Sequence, residues 1–186
     1  MTDAPLPDRF ETSRLTLRRP VMADAEGMFA AYAADPEVTR YLQWRPHVSV
    51  ATVREVVAQY LERRASGEGE QAFVIAEKGR PEQPLGVIGI TIAGHEAEVG
   101  YVIARAFWGR GYMTEALECL SAWALSQPAI CRFSAVCDVE NMASVRVLEK
   151  AGLVREGCLR RHTVFPNVSD APRDCFIYAK VRGSDE

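Results

Sequence analysis

EVGYVIARAFWGRGYMTEA, running from Glu98 to Ala116, is the stretch whose reading decides the fold. Val99, Tyr101 and Ile103 alternate with Gly100 and Val102, and β-branched and aromatic types dominate, so it opens as a strand. It turns through Trp108-Gly109-Arg110-Gly111 and continues as a helix, in which Leu117, Leu120 and Ala124 recur at three- and four-residue steps. Glycines between a strand and a helix leave bare backbone N–H groups at the positive end of a helix dipole. Such an end can hold a phosphate or pyrophosphate. A Walker-type loop is not met, because no Lys follows either glycine, and a dinucleotide fingerprint is not met, because its third glycine position is Thr114. Read alone, the loop leaves an anion cradle and a plain tight turn equally open.

Composition sets the bounds. The chain has 186 residues, 48% hydrophobic and 25% charged, the make-up of an ordinary globular protein with a real core. Its net charge of −3 gives no support to a general nucleic-acid binder. No apolar run approaches the ~20 residues of a membrane span, and the N-terminus lacks the basic and apolar regions of a signal peptide. The five cysteines are odd in number and form no CxxC, so reduced thiols in a cytoplasm are expected rather than a disulfide framework or a zinc site. Three scattered histidines give no metal-ligand spacing, and no metal is expected.

Outward from the central stretch, the pattern predicts one mixed α/β (α+β) unit over 1–186, with a loose lead-in at 1–11. Ser13 to Arg18 alternates as a strand. Ala23 to Ala34 reads as a helix broken by Asp35-Pro36, Glu37 to Pro46 as an irregular link, and Ser49 to Arg64 as a longer helix. Strands over 71–76 and 85–92 lead by short, turn-rich links into the strand at Glu98, an antiparallel meander. Beyond the glycine loop and its helix come a strand at 130–137, a helix at 141–151, and strands near 153–161 and 174–182. In that last helix Asn141 is a natural N-cap and Gly152 ends it at C′.

Together these stretches resemble the GNAT superfamily of acetyl-CoA-dependent N-acetyltransferases, and within it the Rim-type enzymes that acetylate N-terminal alanines of ribosomal proteins. The resemblance spans nearly the whole chain. It is carried by Glu11-Thr-Ser-Arg-Leu-Thr-Leu-Arg18, by the central stretch, by Asn141-x-x-Ser144-x-x-x-Leu148-Glu-Lys-x-Gly-Leu153, and by Arg173-Asp174 with Tyr178. It implies a mixed, twisted central sheet of about seven strands flanked by helices. It also implies that backbone groups of Trp108, Gly109, Arg110, Gly111, Tyr112, Met113 and Thr114 cradle the coenzyme A pyrophosphate. Val102 and Ile103 would splay from the neighbouring strand and bond the pantetheine arm, and Asn141 would contact that arm or the loop. Trp108 and Met113 depart from the commonest family loop but look familiar for the Rim-like branch.

Acetyl transfer to an amine needs a neutral amine, a polarised carbonyl and a stabilised thiolate. The resemblance implies direct attack without a cysteine nucleophile. Glu98, acting through a water, resembles the base of some members, and its other reading is a surface carboxylate. Leu148 stands where many members carry a Tyr acid, and Ser144 matches the serine given that role in Rim-like enzymes. Tyr41, Trp44, Arg45 and His47 on one side and Arg160, His162 and Tyr178 on the other are candidates for the acceptor pocket. The acceptor implied is a protein N-terminus, with a small amine or antibiotic as the alternative. A non-catalytic acyl-CoA sensor is the reading that Leu148 keeps open. A monomer or weak homodimer follows from the resemblance alone.

Overall fold

The computed structural model describes residues 5–183. Its strands are β1 (Arg9–Glu11), β2 (Leu15–Arg18), β3 (Gln71–Glu77), β4 (Gly86–Ala93), β5 (Glu96–Ile103), β6 (Arg132–Asp138), β7 (Val154–Thr163) and β8 (Arg173–Val181). They form one sheet in the order β1-β2-β3-β4-β5-β6-β8-β7. Every neighbouring pair is antiparallel except β5 and β6.

Side chains alternate across the sheet, and both faces are covered. Phe73 and Ile75 of β3 and Ile88 and Ile90 of β4 join the core under α4 (Tyr112–Ser126) and α5 (Met142–Lys150). Ala72, Val74 and Val87 face the other way, into a second core under α1 (Asp24–Met28), α2 (Pro36–Thr39) and α3 (Val50–Ser66). This double coverage explains the unbroken apolar run Ala72–Ala76, which would alternate if one face met water.

The structure departs from the sequence reading at the ends of elements. The sheet has eight strands rather than about seven, because Arg9–Glu11 of the expected lead-in pairs with β2. Phe10 holds it there, meeting Phe73 and Trp123 edge-on at 5.2 and 5.8 Å. Residues 1–4 of that lead-in lie outside the described residues. Pro36 ends the helical run of α1 and its π turn (Phe29–Ala33), as expected. It also starts α2 within the expected irregular link: Asp35 Oδ1 accepts from Glu37 N at 2.9 Å, with proline at the first helical positions.

One carboxylate ties the N-terminal hairpin to the centre. Glu115, in the first turn of α4, accepts from Thr12 Oγ1 (2.5 Å), Ser13 Oγ (2.9 Å), Arg14 N (2.9 Å) and Arg14 Nε (2.6 Å). Burial pushes this carboxyl up, but the bonds from Thr12, Arg14 and Ser13 outweigh it and hold the pKa at about 2, against an ordinary 4.5. The folded-state value lies below the unfolded one, so the stabilisation is complete above pH 4.5 and is lost as the pH falls from 4.5 toward 2. Its size is about 2–3 kcal/mol. Glu115→Gln is therefore expected to lose about that much in urea melts at pH 7. The gap from wild type should shrink when the melts are repeated near pH 3. A gap that does not change with pH would mean that the charge is not the source.

Candidate active site

The parallel pair β5–β6 is short. Its register runs only through Glu96↔Arg132, Ala97↔Phe133 and Glu98↔Ser134. Beyond Glu98 the strands diverge around a cavity of about 640 Å³, lined by Val99–Ile103 on one side and by Val136 and Cys137 on the other. A strand inside a sheet directs alternate N–H and C=O groups to each neighbour, so past the fork those meant for β6 face the opening. β5 stays fixed to β4 through Val87↔Val102 and Gly86↔Ile103. Gly86 is required there: a Cβ on it would collide with the Val102 carbonyl.

The glycine loop closes one end. Gly109 and Gly111 sit at φ +73° and +76°, the left-handed region that side chains disfavour. Gly111 is the N-cap of α4 and supplies no side-chain cap, so the first-turn N–H groups are left for a ligand. The loop is braced from behind by Arg14, whose Nη1 donates to Arg110 O at 3.0 Å and whose guanidinium lies 4.6 Å over the Tyr112 ring. Tyr112 donates its hydroxyl to Glu77 at 2.6 Å. Trp108 Nε1 donates to Ile103 O at 2.9 Å, so that carbonyl already has a partner.

The other end is set by the turn between β6 and α5. Asp138, fully buried, accepts from Arg173 Nε (2.6 Å), Arg173 Nη2 (3.1 Å) and Glu140 N (2.8 Å). Asn141 caps α5, its Oδ1 accepting from Ser144 N at 3.1 Å. This aims Ser144 at β5, where its hydroxyl and that of Tyr101 are 2.6 Å apart. Burial pushes the Tyr101 hydroxyl well above 10, the Ser144 bond only partly opposing it, so Tyr101 keeps its proton at neutral pH.

A second cavity of about 450 Å³ lies among α3, the 42–47 link and the sheet. It shares Leu42, Gln43, Gly100, Tyr101 and Val102 with the first, so the two adjoin at the fork. Trp44, His47, Tyr60 and Glu70 line it. His47 Nδ1 is 3.0 Å from Thr52 Oγ1, and burial lowers its pKa below 6.5, leaving the ring neutral at pH 7. Burial lifts Tyr60 to about 12.

Of the ten residues expected to hold the coenzyme, Val102, Ile103, Trp108, Gly109, Gly111, Tyr112, Met113, Thr114 and Asn141 line the larger cavity, as does Ser144. Arg110 does not: it is exposed, its guanidinium 5.1 Å over Phe107. Glu98 lines neither cavity and is exposed at the last rung of the β5–β6 ladder. Tyr41 lines the larger cavity, and Trp44 and His47 the smaller. Arg45 pairs with Asp170 at 3.2 Å at the surface. Arg160 and His162 are exposed on β7. Tyr178 is buried in the core, its hydroxyl donating to Glu149 at 3.2 Å, because β8 is an inner strand between β6 and β7. Sequence reasoning did not single out Tyr101 or Glu70, which the fold places in the cavity walls. The alternation of β5 places Tyr101 on the face of Val99 and Ile103, but its hydroxyl partner comes from another element. Glu70 has no sequence signal at all, since it precedes β3 in a glycine-rich turn.

Residues 14–154 match the Acetyltransferase (GNAT) domain family. The chain is 31% identical over 179 residues to the uncharacterized N-acetyltransferase YoaA of Bacillus subtilis, covering 92% of this chain and 96% of that one. Among solved structures it is similar to the microcin C7 self-immunity acetyltransferase MccE in complex with acetyl-CoA and AMP. There the TM-score is 0.81 at 23% identity, with 95% and 97% of the two chains covered. It is also similar to RimL, a ribosomal alpha-N-protein acetyltransferase in complex with coenzyme A. For RimL the TM-score is 0.77 at 22% identity, with 94% and 97% covered.

Proposed function

The chain belongs to the GNAT acetyltransferase family and is an acyltransferase, and from that premise we propose that it moves the acetyl group of acetyl-CoA directly onto a primary amine. The observation that carries this is the meeting of two cavities at Gly100–Val102, where Tyr101 lines both and its hydroxyl meets that of Ser144 in the larger one. The donor set of the larger cavity suits acetyl-CoA. The uncapped N-terminus of α4, with Gly109 and Gly111, takes the pyrophosphate, and the unspent backbone groups beyond Glu98 take the amide-bearing arm. Backbone N–H near Val102 or Ile103 polarises the thioester carbonyl, and the Tyr101–Ser144 pair faces the leaving sulfur. Asn141 holds Ser144 in place.

The acceptor proposed is the α-amine of a protein N-terminus, in keeping with the likeness to RimL. Such an amine has a pKa of about 8, against about 10.4 for a lysine side chain, and so asks less of a base. A small amine is the second reading, favoured by the 450 Å³ size of the acceptor cavity. Against a non-catalytic sensor stands the packing at Leu148. That side chain is fully buried in the core, and the hydroxyl beside Ser144 comes from Tyr101 instead.

Calorimetric titration with coenzyme A tests the cleft. Wild type is expected to bind, and a ligand at 100 times its dissociation constant should stabilise the fold by about 2.7 kcal/mol in a melting scan. Gly111→Ala forces a side chain into the left-handed region, at a cost of about 1–2 kcal/mol. It should bind coenzyme A about tenfold more weakly. Stabilisation by ATP with magnesium but not by coenzyme A would overturn the assignment.

A further inference from the structure

Glu70 is the one acidic side chain among the described residues lining the smaller cavity. Its carboxylate lies flat on β4 at Gly89, where an added Cβ would collide with Oε1, Cδ and Cγ of Glu70. Gly89 pairs directly with Gly100 of β5, so two adjacent strands are bare at this spot. A Cβ at Gly100 would meet nothing within 4 Å, so the carboxylate fills one half of the gap and leaves the other open beside the fork. Its contact with Arg63 is long: Nη1 to Oε2 is 3.4 Å, between partly exposed side chains. The titratable groups that line the cavity with it are Arg63 and Tyr60 of α3, Tyr32 and His47, while the Tyr101 hydroxyl lies on the other face of the sheet with Ser144. Burial keeps Tyr32 and Tyr60 protonated and His47 neutral at pH 7, which leaves Glu70 as the negative group there. Burial also raises the Glu70 pKa, with Arg63 opposing, which makes it a better proton acceptor than a surface carboxylate. Aromatic walls around a carboxylate make a receptor for an ammonium group.

We propose that Glu70 seats the acceptor's ammonium group and takes its proton, so that the acceptor class is a primary amine that arrives as a cation. This rests on the acetyl-transfer reading above. The ammonium N–H proton passes to Glu70 Oε, the freed nitrogen lone pair forms a C–N bond to the thioester carbonyl carbon, and the C–S bond breaks. The sulfur departs with the bonding pair beside Tyr101 and Ser144. It takes up the proton that the new amide nitrogen sheds, and Glu70 returns its proton to solvent.

The test titrates alaninamide and, separately, N-acetylalaninamide into the protein, with and without saturating coenzyme A. Wild type should prefer the charged amine by about tenfold or more. Glu70→Gln should lose that preference while binding coenzyme A within about twofold of wild type. Gly89→Ala, which keeps the charge but pushes the carboxylate off its seat, should lose most of it too. A preference retained in Glu70→Gln, or absent from wild type, overturns the proposal. Failure of wild type to bind coenzyme A would instead strike the transfer reading, and the amine preference measured without coenzyme A would still judge Glu70.

Discussion

Ser144→Ala is expected to turn over acetyl-CoA about 100-fold more slowly, with its affinity for acetyl-CoA unchanged. The Ser144 hydroxyl lines the larger cavity, 2.6 Å from that of Tyr101, a residue that both cavities share. The two hydroxyls are donors rather than true acids. A thiol ionises near pH 8.5, whereas burial pushes the Tyr101 hydroxyl well above 10, so full transfer of its proton to the thiolate would run uphill. In the proposed reaction the pair supplies a fixed hydrogen bond aimed at charge that develops on sulfur, and removal of one such donor typically costs 10²–10³ in rate. Tyr101→Phe should fall in the same range. Because the two act as one unit, the double variant should be far less than the product of the two losses. Single-turnover rates at saturating acetyl-CoA measure this, and a Ser144→Ala rate within about threefold of wild type would remove Ser144 from the chemistry.

The second large effect is on stability. Asp138→Ala should cost about 3 kcal/mol or more, because it leaves the Arg173 guanidinium without its main partner beside a core strand and frees Glu140 N from its acceptor. Arg173 keeps 22% of its side-chain surface exposed and a second contact to Glu140 at 3.0 Å, which holds the loss to the lower part of the 3–5 kcal/mol range for broken buried pairs. That is still a large share of a total stability of about 5–15 kcal/mol. The urea midpoint should fall with an unchanged slope. Asp138→Leu combined with Arg173→Met should recover much of the loss, since an apolar pair leaves no buried charge unpartnered. A double variant no better than the single would show that the turn needs the carboxylate itself. Because Asp138 ends β6 at the fork and Asn141 follows it, the single variant should also lose turnover through a displaced Ser144.

What the sequence discloses, and what it hides, divides along contact distance. The alternation in β5, the helix stripe of α4 and the Asn141 cap are local, and each element lies within a few residues of where its pattern puts it. The glycine loop is legible for the same reason: the positive φ of Gly109 and Gly111 is a property of those residues. β1 is hidden because three residues carry no period, and its strand character comes from pairing with β2 and from the Phe10 contacts. The site's polar links are hidden for a stronger reason. Tyr101 meets Ser144 across 43 positions, Asp138 meets Arg173 across 35, and Thr12 meets Glu115 across 103. Only the fold brings these together, and composition offers no hint of the pairing. Glu98 and Glu70 show the same divide between what a motif marks and what only the fold places. The one at the head of the central strand points to solvent, and the one in the cavity comes from a turn without any signature.

Acetyl transfer is tested most directly by thiol release from acetyl-CoA in the presence of an acceptor panel, with the product examined by mass spectrometry. The panel holds peptides beginning with Ala, Ser or Met, a lysine peptide with a blocked N-terminus, and small primary amines. The expected result is release above the acceptor-free blank with one class of free amine, matched by one acetyl group on that amine. Free α-amine peptides should lead the panel. Bound acetyl-CoA with no acceptor-dependent release and no acetylated product across the panel would contradict the central claim.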